Sequence, residues 1–301
     1  MKKRLLTGFL AAVLLLHPCL GQAESAPLVY RVSDDQGHVL YLLGTIHVGN
    51  DDMYPLGDAV EEAYEKADVL AVEMDVYAYG GNLFKSLKYS FALMYGLDDS
   101  IKNHLSPETY ALGVEKLGFP EMALLRMKPA MWYSLAENFL FQQAGLDAMK
   151  GADYWLTKRA HKDGKRIDEL EGIDEQMAVM LAIPEDVIDS EVFAMLSYPD
   201  ESAEGLRLLF EAWRQGDEKT LRALLETQEE PSGDEELSAA YDEYSDMLID
   251  SRNDGFEKQA IDYLNSGETA LIAIGAFHII GENGLAEKLA RGGYTVEEIG
   301  R

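Results

Sequence analysis

The sequence predicts an α/β fold: a mixed sheet assembled from the N- and C-terminal segments, with a large helical insertion between them. Three observations carry that prediction. Strand-like runs cluster at the two ends, at Leu28–Val32 and Val39–Leu43 on one side and at Thr269–Gly275 and Tyr294–Ile299 on the other. The middle, about 83–265, carries its apolar residues at helical spacing, with prolines where helices begin. One strand near each end is continuously apolar, as strands buried on both faces are. Each of these runs into a G-x-x-H: Gly44-Thr45-Ile46-His47 and Gly275-Ala276-Phe277-His278.

The chain opens with Lys2, Lys3 and Arg4, then the apolar stretch Leu5–Leu16, then the small residues of Gly21-Gln22-Ala23. The stretch is shorter than the roughly 20 residues a spanning helix needs, and the pattern is that of a cleavable leader. Residues 1–23 are expected to be a signal peptide, and 24–301 a single exported domain, periplasmic or secreted. Cys19, the one cysteine, falls in the leader, behind His17 and Pro18, which do not suit a lipoprotein signal. The mature chain then offers neither a disulfide nor a thiolate metal site. The net charge of −28, from 54 acidic and 26 basic residues, becomes −31 once the leader's three basic residues are gone. A polyanion of this kind repels nucleic acid and anionic membranes. No segment after the leader is apolar enough to span a bilayer, so no stable membrane insertion is expected after signal removal. The oligomeric state is left open.

Ser33–His38, containing Asp34, Asp35 and Gly37, joins the first two strands and predicts a hairpin. Pro55–Lys66 places Leu56, Val60 and Ala63 on one helical face. Asp68–Asp75 is a buried strand that ends in Glu73 and Asp75. From Leu83 to Lys162 the pattern is helical, with Pro107 and Pro129 at helix starts. Lys165–Glu171 is strand-like, and helices resume at Ile173. Glu226–Glu236, with Pro231 and Gly233, reads as a loop or hinge. Tyr241–Leu264 reads as one long amphipathic helix carrying Arg252 and Asn253. Leu285–Ala290, closed by Gly292-Gly293, is a further helix.

Ligand sites in open α/β sheets lie beyond the carboxyl ends of the strands. If the two G-x-x-H strands are parallel neighbours, His47 and His278 converge there, and Glu73 ends a third strand at the same side. Two imidazoles and a carboxylate suit Zn, Mn, Co or Fe(II) better than Mg or Ca. The same residues also have ordinary structural uses: a histidine after a strand packs in a loop, Glu73 caps a helix or joins an ion pair, and Asp75 competes as a ligand. Arg252 on its helix can hold a carboxylate or a developing oxyanion, or simply pair with Asp250 or Asp254. Glu171 can orient a ligand histidine or cap a strand. Neither G-x-S-x-G nor a mature cysteine is present to support nucleophilic catalysis.

Taken in order, Gly44–Gly49, Leu70–Asp75, Gly151-Ala152-Asp153, Gly164–Glu171, Glu175-Gln176, Arg252-Asn253, Gly275–Gly281, Gly284-Leu285 and Gly293-Tyr294 resemble the TraB/GumN family, which includes the Tiki proteins. The resemblance covers nearly the whole mature chain. It implies a metal-dependent protease with Mn or Co favoured, Zn or Fe as alternatives, His47, Glu73 and His278 as ligands, and a peptide or protein substrate. Arg252 matches an arginine of the family pattern. The chain departs from that pattern at Gly49-Asn50-Asp51-Asp52, where an acid is displaced by one position, so Asp51 receives no role. Esterase-like relatives imply an alternative, a histidine base without a metal. Other members are linked to shutdown of peptide pheromones, by cleavage or sequestration, and the same convergent histidine pair would also serve a periplasmic module that captures a peptide, metal or haem and does no chemistry.

Overall fold

The computed structural model describes residues 25–80, 83–227 and 235–300. The expected signal peptide with Cys19, and the centre of the Glu226–Glu236 stretch, lie outside the described residues. Six strands form one sheet: β1 (Val29–Ser33), β2 (Val39–Thr45), β3 (Val69–Val72), β4 (Arg166–Glu169), β5 (Ala270–Gly275) and β6 (Thr295–Ile299), in the order β4-β3-β5-β2-β1-β6. β1 pairs antiparallel with both β2 and β6, and β2, β5, β3 and β4 run parallel. The sheet is therefore mixed, as expected. One strand was placed differently: β4 comes from inside the helical insertion and closes the sheet edge beside β3.

The parallel half is the buried half. Every residue of β3 is buried, and so are Leu40–Thr45 of β2 and Ala270–Ile274 of β5. That explains their unbroken apolar sequence, since helices cover both faces of such strands. The hairpin turn is tied by Asp34, whose Oδ1 accepts from the N–H groups of Gln36 and His38 (both 2.9 Å). This is an Asx-type closure.

The insertion has a core of its own, around Ile101, Leu124, Trp132, Val187 and Val192. Pro107 and Pro129 do start helices, Pro107–Lys116 and Pro129–Ala144. Gly113 has to be glycine: a Cβ there would come within 2.0 Å of the Trp132 ring. One of the points that fasten the insertion to the sheet lies beside the first G-x-x-H. Trp213, on the helix Pro199–Arg214, is fully buried, and its indole N–H donates to the Gly44 carbonyl at 2.8 Å. The first G-x-x-H thus begins where insertion and sheet meet.

The single helix expected over Tyr241–Leu264 is interrupted. Glu235–Ser245 leads into a π-helical segment, Asp246–Asp250, before Ser251–Ser266. Such segments widen a helix and re-aim the side chains beyond them, and here the next residues are Ser251 and Arg252. Among the described residues no helix is long and apolar enough to cross a membrane.

Candidate active site

Thr45 of β2 is paired in register with Gly275 of β5, and Val72 of β3 with Ala273. The carboxyl ends of these strands therefore lie side by side. His47 follows β2 by two residues, Glu73 follows β3 directly, and His278 sits on the short helix Ala276–Ile279 after β5. They meet around Gly275. A Cβ on that residue would lie 3.4 Å from Glu73 Oε1, 3.6 Å from His278 Cδ2 and 3.8 Å from His47 Nε2. All three residues line a cavity of about 490 Å³.

Each imidazole is pinned at Nδ1. His47 Nδ1 lies 2.9 Å from Asp153 Oδ2; a carboxylate only accepts, so the nitrogen carries the proton. His278 Nδ1 lies 2.8 Å from Asn253 Oδ1, while Asn253 Nδ2 donates to the Asn283 carbonyl at 2.9 Å. That second bond fixes the amide orientation, so His278 also donates through Nδ1. Among the described residues neither Nε2 has a hydrogen-bond partner. Asp153 is carried to His47 by the helix Ala152–Asp163, whose first N–H donates to the Ile46 carbonyl at 2.9 Å. Gly151 permits this approach, because a Cβ there would come within 2.6 Å of the His47 carbonyl.

Glu73 is held on both oxygens. The Gly275 N–H donates to Oε1 (2.7 Å); Arg252 Nη2 (2.6 Å) and Gln176 Nε2 (3.0 Å) donate to Oε2. Arg252 also forks onto Glu171, with Nε to Oε1 at 2.7 Å and Nη2 to Oε2 at 2.8 Å, and Nη1 donates to the Leu248 carbonyl of the π segment at 2.8 Å. Glu73 and Glu171 stand together because the β3–β4 ladder continues past the strands, with Glu171 N–H donating to the Glu73 carbonyl. The arginine thus pairs with neither Asp250 nor Asp254, and four of its five N–H groups are committed. Glu171 orients Arg252, not a histidine. The residues that orient the histidines are Asp153 and Asn253. Asp75 is turned away, 2.6 Å from His161 Nε2, and Asp51 pairs with Lys150 at the surface.

The electrostatics follow from these partners. For His47, burial pushes the imidazole pKa down, but the Asp153 carboxylate, helped by Glu73 and Glu137, more than reverses this and raises it to about 9. The His47 side chain is nevertheless 65% exposed, so water in the cavity reaches the ring. His278 is buried, and burial drops its pKa to about 4. Burial alone would raise Glu73; the charges of His278, His47 and Arg252 and the Gly275 N–H hold it at about 2 instead. At neutral pH the site holds a cationic His47, a neutral His278 and an anionic Glu73 beside Arg252.

Two imidazoles held through Nδ1 and a carboxylate are the side-chain types that a divalent ion takes as ligands. Two features work against tight binding: Arg252 already neutralises Glu73, and His47 must first lose a proton. Among the described residues no three His, Asp or Glu side chains are gathered at coordinating positions.

The model of the TraB/PrgY/gumN family matches residues 28–298. The chain belongs to that family. Curated relatives include the "Uncharacterized protein YbaP" of Escherichia coli (strain K12), 30% identical over 145 residues, and its counterpart of the same name in Shigella flexneri, with the same identity and length. Each alignment covers 48% of this chain and 53% of the relative, so the chain spans about half the length of the curated relatives it matches. No solved structure matches. The TraB/PrgY/gumN match takes in every residue of the site, from His47 to His278. Asp153 and Asn253 sit in blocks that carried the family resemblance, but no local sequence pattern marked them as partners of the histidines.

Proposed function

We propose that this member of the TraB/PrgY/gumN family is an exported, metal-dependent hydrolase, a peptidase acting on peptide or protein substrates. The observation that carries the reading is the meeting of His47 Nε2, Glu73 Oε1 and His278 around Gly275 on the wall of a cavity. His47, His278 and Glu73 would hold the ion, Mn or Co first, Zn or Fe as alternatives. A divalent ion held there would supply Lewis-acid and water-activating chemistry near neutral pH. Asp153 and Asn253 keep both histidines in the tautomer that presents Nε2. Arg252 and Gln176 fix Glu73, and the remaining Nη1–H of Arg252 is free to meet a developing oxyanion. The apolar wall of Val179, Met180, Ile183, Leu209 and Leu225 would exclude water and receive side chains.

The test is metal content of the mature, tag-free protein after exposure to limiting Mn, Co, Zn and Fe, with His47→Ala beside it, and cleavage of a peptide mixture by the loaded protein. The expected result is about one equivalent of a single metal, absent from the variant, and cleavage that stops with chelator.

A second reading is favoured by one observation, the Arg252–Glu73 pair. It leaves the His47–Asp153 dyad as the most independent chemical group, in the arrangement of a histidine base oriented by a carboxylate once His47 has lost its proton. Turnover of ester substrates that ignores chelator would select it. Saturable binding, with every ligand recovered intact, would sink both hydrolase readings in favour of a binding module.

A further inference from the structure

The cavity has a second polar region that the chemistry above does not use. Three helices of the insertion build it. Tyr133 and Glu137 lie one turn apart on Pro129–Ala144, Glu191 is on Glu185–Ser197, and Tyr241 and Tyr244 are on Glu235–Ser245. Tyr241 donates to Glu191 Oε1 at 2.5 Å, and the Tyr133 and Tyr244 phenols line the same region. Among the described residues the Glu137 carboxylate has no hydrogen-bond donor. Burial and the neighbouring Glu191 charge push its pKa up to about 7, against the opposing pull of His47. Burial raises Glu191 as well. Thr45, at the carboxyl end of β2, lines the same cavity and is only 3% exposed, and among the described residues its Oγ1 has no partner.

Two enclosed carboxylates facing one cavity are costly without a cation. Among the described lining residues the one fixed cation is Arg252, and it is committed to Glu73 and Glu171. The surroundings suit an organic cation on an apolar stem: phenol rings offer cation–π faces and hydroxyls, and Met180, Ile183 and Val179 offer the apolar wall. Resting on the reading of this cavity as a substrate site, we propose that Glu137 and Glu191, with Tyr133, Tyr241 and Tyr244, form a subsite for an ammonium or guanidinium group of the substrate. The group is either a peptide's α-amine or a lysine or arginine side chain. Coupling between Glu137 and His47 places the subsite within electrostatic reach of the reacting end.

The experiment measures binding separately from turnover. n-Butylammonium, n-butylguanidinium and n-butanol are titrated calorimetrically into the mature full-length protein and into its Glu137→Gln, Glu191→Gln and His278→Ala variants, each checked for folding by circular dichroism. The expected result is saturable cation binding at least tenfold tighter than the alcohol, with the preference lost in both glutamine variants and kept in His278→Ala. If Glu137→Gln does not fold, Glu191→Gln gives the same reading. Equal binding of cations and alcohol, or a preference unchanged in the glutamine variants, overturns the subsite. Nα-acetyl-lysine amide against alanine amide then separates the two sources: the first alone marks a side-chain subsite, the second alone an α-amine subsite. Loss of peptidase activity in every assay would sink the hydrolase reading and leave the binding result standing.

Discussion

His47 and His278 end similar buried strands with the same G-x-x-H, yet the fold treats them in opposite ways. His47 is open to the cavity, paired with a carboxylate and raised to a pKa of about 9. His278 is buried, paired with an amide, packed edge-on against Phe256 and lowered to about 4. The repeated motif places the imidazoles; the partner on Nδ1 and the access of water set their charge. Titrating groups pushed apart in this way are a usual sign of divided acid–base labour.

The bluntest way to break the comparison is to remove each ring. His47→Ala and His278→Ala are each expected to lower turnover by about 10²–10⁴-fold. Their stability costs should differ. His278→Ala strands the buried Asn253 Oδ1 and leaves a void beside Phe256, about 1–3 kcal/mol, while His47→Ala, at an exposed ring, should cost little. Urea melts beside kinetics check this; equal stability losses would mean that the two corners are not the different environments described. If activity survived in the folded fraction of His278→Ala, the histidine would be structural.

Gly275→Ala tests the gap between the corners. The backbone there, φ −49° and ψ 138°, accepts any residue, and the added methyl meets its neighbours at ordinary contact distances of 3.4–3.8 Å. The fold should hold while the methyl occupies the space shared by His47 Nε2 and Glu73 Oε1. A loss of about 10²-fold in turnover, the scale of a misplacement near 1 Å, is expected with an unchanged melting temperature. Full activity would move the reacting position away from Gly275.

Exchanging the partners is gentler. Asp153→Asn and Asn253→Ala should each cost about 10–100-fold, as the loss of groups that orient a site histidine does. Only Asp153→Asn should bring the His47 pKa down from about 9 toward the ordinary 6.5, a shift read by NMR titration of the ring. An unmoved titration would remove Asp153 as its cause.

These partners also mark how far the sequence could be read. The sheet was legible because apolar runs and the Asp–Gly turn are local signals, and so was the meeting of His47, Glu73 and His278, because parallel strands end together. β4 was recognised as strand-like, but its place at the sheet edge was not, since Arg166–Glu169 is hydrophilic and pairs on one side only. The roles of Asp153 and Asn253 were hidden for a different reason. Asp153 reaches His47 across 106 positions, through helix docking that leaves no periodic trace. Asn253 reads only as the neighbour of Arg252 on a helix, and its partner His278 lies 25 positions on, beyond a strand. For Arg252 the pattern shows a helix but neither its break at Asp246–Asp250 nor the partners Glu73 and Glu171, which follow strands far away in the chain.

The smallest expected effect is on stability against pH, and here the corners should separate by sign. The folded pKa of His278 lies below its unfolded value of about 6.5. The unfolded chain therefore binds the proton more readily, and this residue's contribution falls as pH drops from about 6.5 to 4. Glu73, held at about 2, adds stability above the ordinary carboxylate value that is lost as pH falls from about 4.5 to 2, on the order of 3 kcal/mol. His47 behaves the other way: its folded pKa is raised, so its contribution is present below about 6.5 and lost as pH climbs to about 9, with a smaller amplitude because the ring is exposed. Other groups titrate in these ranges, Glu137 among them, so the informative quantity is the difference between wild type and a single variant. His278→Gln should flatten the arm between pH 6.5 and 4 and leave the alkaline arm alone; His47→Gln should do the reverse. Urea midpoints at pH 4, 5, 6.5 and 9 read both arms. If both variants flattened the same arm, the two imidazoles would share one environment, and the division of charge between the corners would be lost.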